Sequence, residues 1–255
     1  LVGDLTYHLR FTLGTFGGEG GLRFQSHSHY RRSDNPLDSD GDGIADGRDM
    51  GRISLRADWR RDWTLDNGMV AAILGEVSAD AYRIGQDTAF QNSYSRLHGA
   101  FGAELRWPWV KAGKGGVNHV IEPVVQFVWS PEEPDVLPNE DSVLVEFDQG
   151  NLFSLNRFPG SDAVERGARA NLGLSYLRDD PAGWTLGLTL GRVVRLEDLG
   201  QFTKASGLDG IHSDWLVAGQ LQFGSQMNLA SRLLLGDDFG LTKGEMRLTL
   251  DGARY

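Results

Sequence analysis

Apolar and polar residues alternate with a period of two along almost the whole chain, and no amphipathic helical period stands out. Leu5, Tyr7, Leu9, Phe11 and Leu13 are apolar, with Thr6, His8, Arg10 and Thr12 between them. The pattern returns with Ile53, Leu55, Ala57 and Trp59 against Ser54, Arg56, Asp58 and Arg60, and with Leu97, Phe101, Ala103 and Leu105 against Arg96, His98, Glu104 and Arg106. Such alternation places one oily and one charged row on opposite faces of a strand. About eleven strands are predicted, over 4–14, 20–30, 52–63, 68–80, 95–107, 117–129, 165–177, 184–194, 213–223, 227–235 and 241–251. Most reach ten residues, whereas strands of soluble proteins cluster near five or six. Roughly ten residues is the length of a tilted strand that crosses a bilayer.

The connections carry a second signal. They run short, long, short, long through nine loops, with the long ones at 31–51, 81–94, 130–164 and 195–212, and only 236–240 breaks the order. Short turns such as Leu65-Asp66-Asn67-Gly68, whose Asn-Gly suits a type I′ hairpin, then share one rim and long loops the other. Outer-membrane barrels segregate their loops in this way. The expected fold is therefore all-β, an antiparallel up-and-down transmembrane β-barrel; the rival is a soluble β-sandwich or propeller, whose strands also alternate. Trp63, Trp107, Trp109, Trp129, Trp184 and Trp215 lie at strand ends, as interfacial girdles do. Complete bacterial barrels have an even strand number. The odd number predicts that residues 1–255 are a portion of a larger barrel, with 31–51 an inserted extracellular loop and 130–164 a loop that is either extracellular or folded into the lumen.

Composition narrows the function. The 34 glycines are about twice the usual share, and with only 8 prolines they belong inside folded elements, as at Gly75, Gly99, Gly102, Gly173, Gly187 and Gly219. The absence of cysteine excludes disulfides, thiolate metal sites and cysteine nucleophiles. A net charge of −10 argues against nucleic acid as a partner. Of the basic residues only Lys111, Lys114, Lys204 and Lys243 are lysine, so arginine, which pairs with carboxylates and phosphates, dominates. The longest apolar run, Met69 to Leu74, is far too short for a spanning helix.

Several groups of residues could carry chemistry. Asp38 to Asp49 has the register of a twelve-residue calcium loop: Asp38, Asp40 and Asp42 at positions one, three and five, Gly43 at the turn, the Ile44 carbonyl next, then Asp46 and Asp49. Calcium is the one candidate cofactor; the alternative is a solvated acidic turn. His27 and His29 share a strand face, either as a metal clip or as ordinary surface histidines. Carboxylate pairs drawn from Glu140, Asp141, Glu146 and Asp148 do not single out a glycosidase site, and neither a phosphate loop nor a nucleophile elbow occurs, so no enzyme is expected. The stretch 119–173 interleaves acids, amides and arginines. Asp162, Glu165, Arg166 and Arg169 are expected to form a paired network that pins the loop inward, the alternative being a mobile polar loop.

That stretch also carries a resemblance. Its Glu-Pro, Pro-Asn-Glu-Asp-Ser, Asn-Leu-Phe, Asn-Arg-Phe-x-Gly-x-Asp and Glu-x-Gly-x-Arg elements, between His119 and Gly173, resemble the barrel domain of the LptD (OstA) lipopolysaccharide-assembly family. The resemblance implies a large barrel in the Gram-negative outer membrane that receives lipopolysaccharide (LPS) from periplasmic bridge proteins, inserts it into the outer leaflet and holds an LptE-like plug lipoprotein. It requires no cofactor, and it does not account for the calcium-like loop. Asn139, Asp141, Asn151, Asn156, Arg157, Asp162 and Glu165 become candidates for the loop network. Arg56, Arg60, Arg96, Arg106 and Arg169 are the expected inward cations, either meeting LPS phosphates or pairing with Glu104, Glu165 and Asp58. A porin-like passive channel is the alternative function, and a soluble β-sandwich binding module is the next.

Overall fold

The computed structural model describes residues 2–41, 44–133 and 137–252. They form one antiparallel sheet of β1 (Val2–Thr12), β2 (Glu19–His29), β3 (Asp49–Thr64), β4 (Val70–Gly85), β5 (Ser93–Arg106), β6 (Trp109–Ala112), β7 (Asn118–Trp129), β8 (Arg169–Asp180), β9 (Trp184–Arg195), β10 (Trp215–Phe223), β11 (Met227–Leu235) and β12 (Leu241–Leu250). Each strand pairs with its neighbour in sequence, except that β5 pairs β7 and β6 also lies on β7. All eleven expected strands are present. The twelfth, β6, continues the β5 ladder in the same register after Pro108, with Trp107 N–H donating to Pro123 O at 3.1 Å. Proline lacks the N–H a ladder needs, so Pro108 and Pro123 interrupt what is otherwise one arm.

Among the described residues β1 pairs only with β2 and β12 only with β11, and the sheet is open. Short turns 13–18, 65–69, 113–117, 181–183 and 224–226 share one rim. Connections 30–48, 86–92, 130–168, 196–214 and 236–240 share the other. Some bounds and one turn differ from expectation: β3 opens at Asp49 and β4 runs on to Gly85, which shortens the expected loops 31–51 and 81–94 to 30–48 and 86–92. Strand β8 begins at Arg169, four residues late, because Glu165 to Gly167 belong to the loop docked beneath it, while Ala168 O still accepts from Leu196 N–H at 2.9 Å. The 65–69 turn is not type I′, since only Gly68 takes positive φ (81°), its N–H donating to Leu65 O at 2.9 Å.

The two faces are opposite in character. Leu5, Leu55, Leu97, Phe101, Phe127 and Leu248 lie outward and exposed, without a covering layer. Their in-between neighbours point inward, where Arg52, Asp80, Arg96, Glu104, Gln126 and Asn171 are buried. A soluble sandwich buries its oily face, so this arrangement favours lipid as the outer solvent. Aromatic rings mark both rims, with Trp107 on Trp109 (5.1 Å between centroids) at one and Trp215 on Phe239 (6.3 Å) at the other.

Lipid contact predicts that Leu55→Arg lowers barrel stability in vesicles by roughly 2–4 kcal/mol if the site lies near the bilayer midplane. Arg56→Gln, next along the strand but inward, should cost well under half as much. Urea titrations of refolded protein measure both, and equal costs would contradict the assignment of faces.

Candidate functional site

The inward face is half filled by the long loop before β8. Its apolar residues Phe147 and Leu152 pack with Phe202 and Leu208 of the next long loop onto Val193, Leu216 and Leu234 of the wall, all buried. Phe158 stacks on Phe202 at 4.9 Å. Each such side chain contributes about 1.5–3 kcal/mol on burial. The approach is close: Gly173 and Gly191 face each other across β8 and β9, and a Cβ on either would come within 2.6 Å of Phe153 or 2.4 Å of Leu152. Only glycine leaves room for the loop there.

Polar groups then fix its position. Glu165 is fully buried between three arginines: Arg157 at 2.6 Å, Arg195 at 3.3 Å and Arg169 at 3.4 Å. Arg157 also donates to Leu152 O (2.7 Å) and to Asn171 Oδ1 (2.5 Å). Asn171 donates to Gln126, and Gln126 to Glu104 (2.9 Å), so a polar row crosses β8, β7 and β5 to Arg60, 2.6 Å from Glu104. Nearer the rim Arg52, with a side chain 1% exposed, donates to Asp141 at 2.8 Å and to Asp162. Arg96 is bound to Asp80 at 2.7 Å and donates to the carbonyls of Ser161 and Asp162. Arg48 joins Asp87 (2.5 Å) to Glu140 (3.3 Å).

Within the loop, side chains take the place of a strand ladder. Asp141 accepts from the amides of Ser161 (3.1 Å) and Asp162 (3.0 Å), while Asp162 accepts from those of Glu140 (3.0 Å) and Asp141 (3.1 Å). Asn156 accepts from Glu165 N–H at 3.0 Å, Asn139 from Ser142 N–H at 2.9 Å, and Asn151 from Asp148 N–H at 3.0 Å. Burial alone would raise the Asp141 pKa, but those amides and Arg52 hold it at about 2. Burial works the same way on Glu165 and is overcome by Arg157, Arg169 and Arg195, leaving it below the ordinary carboxylate range. Asp162 is pushed up, by burial first and then by the neighbouring Asp141 charge.

All seven candidates for the loop network are thus held in the docked loop. Arg166 is not part of the buried cluster; its guanidinium donates to Glu132 O at 2.8 Å and its amide to Gln201. Two expected inward cations, Arg96 and Arg169, are sealed beneath the loop and do not face the lumen space. Arg56 lies near Glu76 at 3.5 Å, and Asp58 is taken by Arg10. Arg60 and Arg106 keep about a third of their side chains exposed. They line a cavity of about 390 Å³ with Glu104, Glu122 and Ser175, roofed by Phe153, on the short-turn side of the docked loop. Arg52, Arg195, Gln126 and Asn171 were absent from the expected set. Arg52 shares the alternation of Arg56 and Arg60, a signal that was readable, whereas Arg195 fell one residue past the expected strand end.

In the acidic loop Asp38, Asp40 and Asp46 bring carboxylate oxygens within 4.8 Å of one another, a set able to hold a metal ion. Asp46 also accepts from Ser39 and Asn35, and those bonds, Ser39's first, lower its pKa. Asp49 stands outside the group, opening β3 and accepting from Arg31 N–H at 2.9 Å. Ile44 is half-buried, and Asp42 lies outside the described residues.

Residues 4–253 match a family model, LptD, described as LPS transport system D. No curated protein matches the chain.

Removing Glu165 tests the buried cluster. Glu165→Ala should destabilise the docked loop by roughly 3–5 kcal/mol, because three arginines lose their shared anion, and protease should then cleave within 137–168. Acid tests the sign. The docked loop gains stability from Asp141 and Glu165 above their ordinary values of 3.8 and 4.5, and loses it as pH falls toward about 2. Asp162, shifted upward, offsets part of that loss. Protection from pepsin should hold at pH 5 and decline between pH 4.5 and 2.

Proposed function

The chain belongs to the LptD family, LPS transport system D, and from that premise we propose that it forms part of the wall of an outer-membrane translocon that inserts LPS into the outer leaflet. The observation that carries the reading is the division of the inward face. Its long-loop half is closed by the docked loop, while its short-turn half keeps a polar cavity with Arg60 and Arg106 partly exposed. Arginines in poorly hydrated surroundings suit phosphate groups, which can displace Glu104 and Asp62 as their anions. An LPS molecule entering from the periplasmic bridge proteins meets these cations first. The docked loop then blocks a straight path outward and favours sideways exit into the membrane.

The inward side chains of β12, Lys243 and Glu245 among them, face the lumen side of the sheet at its edge and offer a charged surface to an LptE-like plug lipoprotein. No catalytic step belongs to this reading. The competing reading, a passive channel, is opposed by the docked loop that closes the long-loop half of the inner face.

A photo-crosslinking residue at Ser175, on the cavity wall, should capture newly made LPS transiently in growing cells. If cells with that substitution assemble LPS normally and no adduct forms at Ser175, the proposed path is wrong. Steady ion conductance by the barrel in planar bilayers would favour the passive channel.

A further inference from the structure

His27 and His29 are inward neighbours on β2, beside the docked loop. Their side chains are 20% and 11% exposed, so they are not the surface histidines the sequence left open. Each ring has one nitrogen against a carboxylate. His27 Nδ1 lies 2.6 Å from Asp4 Oδ1, across the β1–β2 ladder where Asp4 and His27 are partners. An ionised carboxylate only accepts, so Nδ1 carries the proton and Nε2 is left with a lone pair. His29 Nε2 lies 3.4 Å from Glu140 Oε2 of the long loop and has no hydrogen-bond partner in the described structure. A proton on that nitrogen faces the Glu140 charge and leaves a lone pair on His29 Nδ1.

The two remaining nitrogens, His27 Nε2 and His29 Nδ1, face each other at 3.4 Å, with the ring centroids 5.6 Å apart. That separation is beyond the usual range of a good N–H hydrogen bond. It is close to the distance of about 3.3 Å between two imidazole nitrogens bound to one tetrahedral zinc at 2.0–2.1 Å. With a proton against each carboxylate, both nitrogens of the gap present lone pairs, and a cation held between them removes their repulsion; in the other tautomer the contact is a long hydrogen bond between the two rings. A carboxylate on the far nitrogen of each ring is the outer-shell arrangement that metal-bound histidines commonly have.

We propose that His27 and His29 form a divalent transition-metal site, with Asp4 and Glu140 as positioning residues and water completing the coordination. Imidazole pairs suit zinc, copper and nickel, and calcium is a poor fit because it takes oxygen ligands. Loading the site would tie β1 and β2 to the long loop through Glu140, which also pairs with Arg31 at 2.8 Å and Arg48 at 3.3 Å. This inference does not depend on the LPS path.

The test is zinc titration by calorimetry of the full chain, purified folded in detergent, together with electron paramagnetic resonance of the copper(II)-loaded protein. One equivalent of zinc should bind, and the copper spectrum should show coupling to two imidazole nitrogens. His27→Gln and His29→Gln, each checked for folded migration on unheated gels, should abolish that coupling and reduce zinc affinity at least tenfold. Asp4→Asn should weaken zinc roughly 10–100-fold, and Asp38→Asn with Asp40→Asn should leave the site unchanged. Absence of zinc binding, as when a shared proton fills the gap, would overturn the proposal. So would zinc binding that survives both histidine substitutions or disappears with the two aspartates.

Discussion

Glu165, fully buried among Arg157, Arg169 and Arg195, is the interaction on which the docked loop depends. A carboxylate cannot be buried alone, nor can three guanidinium groups, so the four charges require one another. The requirement is also geometric. Arg169 begins β8, Arg195 ends β9, and Arg157 and Glu165 come from the loop, so the cluster forms only when the loop lies against these two strands. Apolar burial of Phe147 and Leu152 supplies much of the free energy of docking, and the charges specify where the loop lies.

From that constraint follow the two halves of the inward face. Loop residues reach from the long-loop rim to the middle of β8 and β9, where Gly173 and Gly191 admit Leu152 and Phe153. Beyond this point side chains such as Arg60, Arg106 and Glu122 border open space. The outward face sets the complementary condition. Rows of exposed Leu, Phe and Val would drive association in water and are at rest in lipid. The same strands satisfy both solvents because successive side chains point to opposite faces.

Alternation made the wall legible from sequence, since lipid and lumen impose the same two-residue period on every strand. The missed strand, Trp109–Ala112, was hidden by Pro108, which reads as an end although the register continues through it. The network residues within the loop were legible because Asn156, Arg157, Asp162 and Glu165 crowd a segment with few apolar positions. Their partners were not. Whether Arg96 and Arg169 face a lumen or a docked loop depends on the loop's path, and alternation reports only that they point inward. The twelve-residue acidic register likewise aligned Asp49 with its neighbours in sequence, whereas the chain commits Asp49 to the start of β3.

The central claim, that the loop is a fixed part of the lumen wall, is tested most directly by hydrogen exchange of its amides in the barrel embedded in membrane. Asp141, Ser161, Asp162 and Glu165 N–H groups donate to partly or fully buried carboxylate and amide oxygens of the loop itself, not to a regular ladder. The account predicts that these four exchange as slowly as amides in the middle of β7 and β8. Exchange at the rate of a solvated loop, with the strands still protected, would contradict it.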